Sequence, residues 1–155
     1  MIKVLFVCLG NICRSPMAEA VFRHLVEKEG LSSYIQVDSA GLGSWHVGNA
    51  PHKGTRTILK KNNISYDGLV ARQVKPSDFA DFDYIIAMDD ENIEGLNRLK
   101  SENHQSYIGK LLDFVDDVET RNVPDPYYTG NFEYVYKLIT LGCSRLLEKI
   151  KQEKL

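Results

Sequence analysis

The feature that most constrains this chain is the alternation of short apolar runs with amphipathic stretches along its length. Val4-Leu5-Phe6-Val7 is apolar throughout, so a strand built from it presents apolar side chains on both faces. Tyr84–Met88 shows the same pattern. Strands of this kind lie in parallel sheets whose two faces are covered by helices. The pattern therefore predicts βαβ units around a parallel sheet.

We predict a three-layer α/β fold, flavodoxin- or Rossmann-like, in which helices cover both faces of a four-stranded, parallel, twisted sheet. A length of 155 residues suits one domain over residues 1–155. The predicted strands are Lys3–Val7, Ile35–Ala40, Tyr84–Met88 and Lys110–Phe114. The predicted helices are Pro16–Lys28, Gly54–Asn62, Glu91–Lys100 and Asn131–Lys151. The main loops are Gly41–Gly48 and Glu119–Gly130, which contains two prolines.

Charge and composition argue against several classes of partner. The net charge is −2 at pH 7 without a basic run, so we expect no nucleic-acid binding. No apolar stretch approaches the roughly 20 residues of a membrane span, so we expect no membrane partner. Three cysteines without an export signal indicate a reducing compartment, and we expect a cytoplasmic monomer. His24, His46, His52 and His104 lack zinc-ligand spacing, and no metal or other cofactor is predicted.

The segment between the first predicted strand and the first predicted helix carries the strongest chemical signal. A turn in this position aims successive backbone N–H groups inward, at the positive end of the helix dipole. It forms a nest for an anion such as phosphate or sulfate. Gly10 permits close backbone approach, and Asn11 tolerates the left-handed conformation of a tight loop. The segment reads Cys8-Leu9-Gly10-Asn11-Ile12-Cys13-Arg14-Ser15-Pro16.

Cys8 lies at the base of this loop. A helix N-terminus beside a cation stabilises a thiolate, so Cys8 is the candidate nucleophile. The planar guanidinium of Arg14 matches two phosphate oxygens, and Ser15 can donate its hydroxyl hydrogen to the Cys8 sulfur. The alternative is that Cys8 and Cys13 are small buried residues and Arg14 is a surface charge. An Arg and an Asn against a central strand would be poor core filler, which favours the anion loop.

A carboxylate in the proline-containing loop is a candidate proton donor. Val123-Pro124-Asp125-Pro126-Tyr127-Tyr128 places Asp125 between two prolines that restrict its backbone. A rigid, partly apolar loop favours a carboxyl group that is readily protonated. A Pro-Asp-Pro turn without a chemical role explains the same spacing equally well. The spacing leaves both interpretations open.

Several segments resemble the low-molecular-weight protein tyrosine phosphatases. The signature of that family is similar to residues 7–19, Val7-Cys8-Leu9-Gly10-Asn11-Ile12-Cys13-Arg14-Ser15-Pro16-Met17-Ala18-Glu19, and its general-acid loop to Asp125-Pro126-Tyr127-Tyr128. Its strand-end segments resemble Asp38-Ser39-Ala40-Gly41, Ala71-Arg72-Gln73-Val74 and Phe82-Asp83-Tyr84-Ile85. The resemblance spans essentially the whole chain and favours the bacterial branch. Larger tyrosine phosphatases usually place a His where this chain has Val7, and some members of the small family place a His where it has Leu69.

The resemblance implies a fold of the phosphotyrosine phosphatase I type and a metal-independent hydrolysis of phosphotyrosine. In this family Cys8 would form a phosphocysteine, while Arg14 and the amides of residues 9–14 hold the phosphate oxygens. Asp125 would act as general acid and then as general base. Ser15 would stabilise the thiolate, and Asn11 would hold the loop through a hydrogen bond with Ser39. The implied substrates are phosphotyrosine-containing proteins or peptides.

The resemblance also implies walls for the substrate pocket and two forms of regulation. The walls are expected to be Ile12, Trp45, Tyr127 and Tyr128, whose flat apolar surfaces suit a phenyl ring. Ordinary loop or surface roles are the alternative for Trp45 and the two tyrosines. A Cys8–Cys13 disulfide that acts as a redox switch is a further expectation, with a plain buried thiol at Cys13 as the alternative. Phosphorylation of Tyr127 or Tyr128 is an additional hypothesis.

Three other functions remain as alternatives. Arsenate reductases share the fold but need further cysteines, and none lies between Cys13 and Cys143. Protein-arginine phosphatases are also similar but tend to carry Thr where this chain has Ile12. A non-catalytic phosphopeptide-binding module would be expected to lose its nucleophile or its acid. The presence of both Cys8 and Asp125 favours the tyrosine phosphatase.

Overall fold

A computed structural model describes residues 1–101 and 104–155. The sheet has four parallel strands in the order β2-β1-β3-β4. The strands are β1 Ile2–Cys8, β2 Ile35–Gly41, β3 Tyr84–Ala87 and β4 Tyr107–Lys110. The helices are α1 Arg14–Lys28, α2 Lys53–Lys61, α3 Asp78–Asp81, α4 Asp90–Leu99, α5 Pro126–Thr129 and α6 Phe132–Lys154. The predicted α/β architecture is confirmed.

The central strand β1 divides the interior into two layers because alternate side chains point to opposite faces. Val4 and Phe6 belong to the larger cluster, which includes apolar residues of α1, α2 and α6. Leu5 and Val7 belong to a second cluster with Phe79 of α3 and other residues of β3 and α4. All four of these β1 side chains are fully buried. Helices therefore cover both faces of the sheet, as the apolar run predicted.

The predicted fourth strand was placed wrongly. The strand spans Tyr107–Lys110, and Leu111–Phe114 forms a short 3-10 helix. Leu111 and Leu112 are fully buried, but they pack into the cluster that includes α6. Gly142 of α6 allows the close approach, since a Cβ there would lie 2.5 Å from Leu111 Cγ. The apolar pair therefore reflected helix packing and not strand pairing.

The other predicted elements agree with the structure to within a few residues at their ends. The loop predicted over Glu119–Gly130 contains one additional short helix, α5, which begins directly after Asp125. The long helix α6 buries Val135, Ile139 and Cys143 along one stripe. No helix in the described parts of the chain is long and apolar enough to cross a membrane.

Candidate active site

The loop that joins β1 to α1 turns its carbonyl groups outward. The carbonyl oxygens of Cys8, Leu9 and Ile12 accept hydrogen bonds from the backbones of Leu42 (3.0 Å), Gly43 (2.9 Å) and His52 (2.7 Å), respectively. In a planar trans peptide each N–H points opposite to the preceding carbonyl. The amides that follow these carbonyls therefore point into the loop, which produces the predicted anion nest.

The tight curvature of the loop requires special backbone conditions at two positions. Asn11 adopts φ of 57°, the left-handed conformation expected for it. Gly41, at the end of β2, lies so close that a Cβ there would be 3.0 Å from the Leu9 carbonyl oxygen. A side chain at Gly41 would therefore push the loop out of position.

The side-chain amide of Asn11 holds this conformation because both its nitrogen and its oxygen form hydrogen bonds. Its Nδ2 donates to Ser15 Oγ (2.7 Å) and to Ser39 Oγ (2.9 Å). Its Oδ1 accepts from the backbone N–H of Arg72 (3.0 Å). Asn11, Ser15 and Ser39 are all buried. The expected hydrogen bond between Asn11 and Ser39 is present, and Arg72 is an additional partner that the sequence did not indicate.

The Cys8 sulfur lies at the base of the loop, 3.0 Å from Ser15 Oγ. Ser15 Oγ already accepts a hydrogen bond from Asn11, which leaves its own hydrogen free for the sulfur. Cys13 is also buried, and burial, followed by the charges of Cys8 and Asp125, raises its pKa to about 12. Of the two thiols, Cys8 is the one beside the Ser15 hydroxyl.

Arg14 is a buried cation, not a surface charge. Its Nη1 contacts Asp89 Oδ2 at 2.6 Å and the Val123 carbonyl oxygen at 2.9 Å. Its Nη2 lies 3.5 Å from Asp125 Oδ2. Burial alone would lower the pKa of Arg14, but Cys8, Asp89 and Asp125 raise it above its ordinary value. The guanidinium is therefore fixed and charged beside the loop.

Asp125 caps the short helix α5. Its Oδ1 accepts the backbone N–H of Tyr127 at 3.1 Å, while Oδ2 is the oxygen close to Arg14. The sequence left open whether Asp125 belongs to a site or to a simple turn. In the structure it does both, because the cap orients its free oxygen toward Arg14.

A cavity of about 240 Å³ opens above the Cys8 sulfur. The four residues predicted as pocket walls line it, together with Asp125. Trp45, Tyr127 and Tyr128 are 70%, 53% and 76% exposed, so the rim of the cavity is aromatic and faces solvent. The lining residues are Cys8, Leu9, Gly10, Ile12, Cys13, Arg14, Trp45, His46, Asp125, Tyr127 and Tyr128.

Besides the Arg72 contact, sequence reasoning missed Asp89 and His46. Asp89, the N-cap of α4, also anchors Arg14, and an Asp directly after a buried strand could have indicated it, since parallel strand ends converge. His46 was not among the predicted site residues, but it lines the cavity and its ring would lie 3.1 Å from a Cβ at Gly10. No cluster of His, Cys, Asp or Glu that could hold a metal occurs within residues 1–101 and 104–155.

A parallel sheet with an anion-binding loop at a strand end, a cysteine at its base and a fixed arginine defines a phosphate-handling protein. The chain matches the low molecular weight phosphotyrosine protein phosphatase family over residues 3–155 and belongs to that family. The family and enzyme class predicted from the sequence are therefore confirmed.

The relatives extend over essentially the full chain. Low molecular weight protein-tyrosine-phosphatase YfkJ of Bacillus subtilis is 59% identical over 99% of both chains. The crystal structure of YfkJ superposes with a TM-score of 0.97 and covers 100% of this chain and 98% of that one. PtpA of Staphylococcus epidermidis is 48% identical over 99% of this chain and 96% of its own length. The structure titled DARP, drosophila arginine phosphatase, is 38% identical with a TM-score of 0.91, covering 99% of this chain and 100% of that one.

Proposed function

We propose that this protein hydrolyses phosphotyrosine in proteins or peptides, with Cys8 as nucleophile, Arg14 as phosphate ligand and Asp125 as general acid and base. The observation that carries the proposal is the convergence of this thiol, guanidinium and carboxyl group on one cavity. Inorganic phosphate and sulfate would occupy the same loop as simple anions.

In the first step the Cys8 thiolate attacks phosphorus in line with the phenolic oxygen. The P–O bond to the phenol breaks as the P–S bond forms, and Asp125 transfers its proton to the departing oxygen. The inward amides of residues 9–14 and the Arg14 guanidinium bind the three equatorial oxygens, where negative charge is spread in the transition state. The hydrogen bond from Ser15 stabilises negative charge on the sulfur when it attacks and again when it leaves in the second step.

In the second step a water molecule attacks the phosphorus of phosphocysteine. Asp125, now a carboxylate, accepts the proton of the water, and the P–S bond breaks to return the Cys8 thiolate and release phosphate. The same carboxylate oxygen serves both steps, because the N-cap hydrogen bond occupies only Oδ1. The charge of the loop amides and Arg14 accounts for phosphate binding without a metal.

The walls of the cavity support an aromatic ester as substrate. Ile12, Trp45, Tyr127 and Tyr128 offer flat apolar contacts to a phenyl ring. A phosphoserine side chain is too short to bring its phosphorus past this rim to Cys8. Phosphoarginine is the second candidate because a structural relative is titled an arginine phosphatase. Ile12 at the cavity wall favours the phenolic ester, since protein-arginine phosphatases tend to carry Thr at the matching position.

The decisive experiment compares phosphotyrosine, phosphoarginine and phosphoserine peptides of one sequence in the presence of EDTA. We expect turnover of the phosphotyrosine peptide far above the other two. Cys8→Ser should abolish turnover but keep phosphate binding. Asp125→Ala should slow esters with poor leaving groups most, because good leaving groups need little proton assistance. Preferential turnover of phosphoarginine, or equal slowing by Asp125→Ala across leaving groups, would contradict the assignment.

We further propose that the chain acts as a cytoplasmic monomer with one domain over residues 1–155. Cys8, Cys13 and Cys143 are free thiols, which supports a reducing compartment. Cys143 is fully buried and contacts the Ala18 carbonyl oxygen at 3.7 Å, so it is placed for packing. Sedimentation analysis tests the monomer, and fractionation of cells tests the compartment.

A further inference from the structure

A buried carboxylate lies at the far end of the hydrogen-bond chain that reaches the nucleophile. Glu19, on α1, is 8% exposed and accepts a 2.6 Å hydrogen bond from Ser39 Oγ at its Oε1. Ser39 is the residue that also binds Asn11. The proposed mechanism gives Glu19 no role, although an uncompensated buried carboxylate is unfavourable in a protein interior.

The number of available hydrogens fixes the direction of this chain. Ser39 has one hydroxyl hydrogen, and Glu19 accepts it, so Ser39 can only accept from Asn11. Asn11 then donates its second amide hydrogen to Ser15 (2.7 Å). Ser15 thereby acts as acceptor on one side, and its own hydrogen points to the Cys8 sulfur. Glu19 fixes the hydroxyl hydrogen of Ser39, and the Arg72 N–H on Asn11 Oδ1 keeps the amide nitrogen facing Ser39 and Ser15.

Three charged side chains from the surrounding elements act on Glu19: Asp38 raises its pKa, whereas Arg23 and Arg72 lower it. Arg23 lies on the same helix and is held by the carbonyl oxygens of Ser65 and Asp67. Asp38 of β2 is paired with Arg72 at 3.0 Å. Burial is the dominant effect and raises the pKa of Glu19 to about 7. Glu19 therefore changes its charge near neutral pH.

We propose that Glu19 is a positioning residue for the phosphatase reaction, whose carboxylate orients Ser39, Asn11 and Ser15 so that the last hydroxyl donates to the Cys8 sulfur. The proposal rests on the proposed function only in taking Cys8 as the nucleophile. The ionised form gives a charge-assisted hydrogen bond to Ser39, and the neutral form a weaker one. Orientation of the nucleophile is accordingly strongest above neutral pH.

The test measures Cys8 without any phosphate ester. The rate of alkylation by iodoacetamide is followed against pH for the wild type, Glu19→Gln and the control Glu27→Gln. Gln can still accept the Ser39 hydrogen but stays neutral, and Glu27 makes the same charge change at an exposed position of α1. Any pH dependence of alkylation that does not come from Glu19 is common to all three proteins, so the ratio of wild-type to variant rates isolates Glu19. Circular dichroism confirms that each variant is folded.

For Glu19→Gln we expect a rate ratio close to one below about pH 6, rising to about fivefold above about pH 8, the equivalent of one charge-assisted hydrogen bond made neutral. Turnover of an aryl phosphate should fall by a similar factor at high pH. Glu27→Gln should match the wild type throughout. Ser39→Ala cuts the chain at its next member, so adding Glu19→Gln to it should cause no further loss.

A ratio for Glu19→Gln that does not change with pH, or full additivity with Ser39→Ala, would overturn the positioning role. Absence of aryl phosphate hydrolysis by the wild type, with the alkylation pattern intact, would instead refute the proposed function and leave the positioning of Cys8 supported. The two failures are thus distinguishable.

Discussion

Replacing Glu19 with Gln should make the protein more stable above neutral pH. The carboxyl group is buried, and its pKa rises from the ordinary 4.5 to about 7 on folding. Between these values the folded state keeps a proton that the unfolded state has released. The contribution of Glu19 to the free energy of unfolding therefore falls as the pH rises from about 4.5 to about 7 and is constant above that range. Gln carries no such dependence.

The size of the effect follows from the difference in proton affinity. A tenfold change in proton affinity corresponds to about 1.4 kcal/mol. A pKa of about 7 in place of 4.5 thus lowers the free energy of unfolding of the wild type by about 3 kcal/mol across this range. Small domains are stable by only about 5–15 kcal/mol. The change is large enough to measure.

Urea denaturation of the wild type, Glu19→Gln and Glu27→Gln at a series of pH values provides the assay. Constant contributions, such as an altered contact with Ser39, cancel when differences at two pH values are compared. The stability of Glu19→Gln relative to the wild type should rise by about 3 kcal/mol between about pH 4.5 and about pH 8, with similar m-values. A difference that stays flat within about 1 kcal/mol would refute the reasoning, because Glu19 would then ionise without penalty. Glu27→Gln should show no such rise.

We expect Glu19→Gln to show both higher stability above neutral pH and slower alkylation of Cys8. A residue that only supports the fold should not lower stability where it is ionised. A gain in stability together with a loss of nucleophile reactivity is the behaviour expected when a site keeps an unfavourable group for function. The two measurements on Glu19→Gln therefore separate a structural carboxylate from a positioning one.

Three further predictions concern the pocket rim, redox chemistry and the packing of α6 on the 3-10 helix. Gly43→Ala should displace Trp45, because a Cβ would lie 1.9 Å from its ring, and should raise KM for an aryl phosphate about fivefold with kcat little changed; steady-state kinetics test this. Mild peroxide should inactivate the wild type reversibly through a disulfide between Cys8 and Cys13, whereas Cys13→Ser should lose activity irreversibly. Activity is measured after treatment with dithiothreitol, and equal recovery of activity by the two proteins would reject the switch. Gly142→Ala should lower stability by about 1–3 kcal/mol in urea denaturation, because a Cβ would overlap Leu111; an unchanged midpoint would contradict this.

The parts of the site that the sequence predicted are local in the chain. Cys8, Arg14 and Ser15 lie within one strand–loop–helix unit, so the order of elements was enough to predict their convergence. Asn11 was predicted to be left-handed because the tight turn needs it, and the structure agrees. Asp125 needed the family resemblance, because its spacing alone fitted a turn as well as a site.

The parts that the sequence did not predict depend on contacts across the sheet. Asp89 meets Arg14 across 75 positions of the chain, because β3 lies beside β1 and both strands end at the same edge. Arg72 meets Asn11 across 61 positions. The Leu111–Leu112 pair was assigned to a strand because two adjacent apolar residues indicate burial but do not distinguish a strand from a helical turn. Local patterns predicted the helices and strands. The contacts of Asp89 and Arg72 with the loop depend instead on how distant parts of the chain are brought together in the sheet.

Asp89 and Asp125 both contact Arg14, but we expect them to contribute very differently to stability. Arg14 is 2% exposed, and loss of the nearer of its two carboxylate partners leaves a buried guanidinium poorly compensated. Asp89 is 2.6 Å from it and also caps α4, whereas Asp125 is 3.5 Å away. Asp89→Ala should therefore lower the free energy of unfolding by about 3–5 kcal/mol. Asp125→Ala should lower it by no more than about 1 kcal/mol.

Urea denaturation of both variants, with Asp90→Ala as the control, tests this contrast. Asp90 is the next residue of the chain, but its exposed side chain binds Lys110 and not Arg14. The control should therefore behave like Asp125→Ala. Equal losses for Asp89→Ala and Asp125→Ala would mean that the two carboxylates share the guanidinium. In the proposed reaction, this asymmetry would leave the anchor of Arg14 in place when a phosphate group binds, while the longer contact to Asp125 would separate and free its carboxyl group for proton transfer.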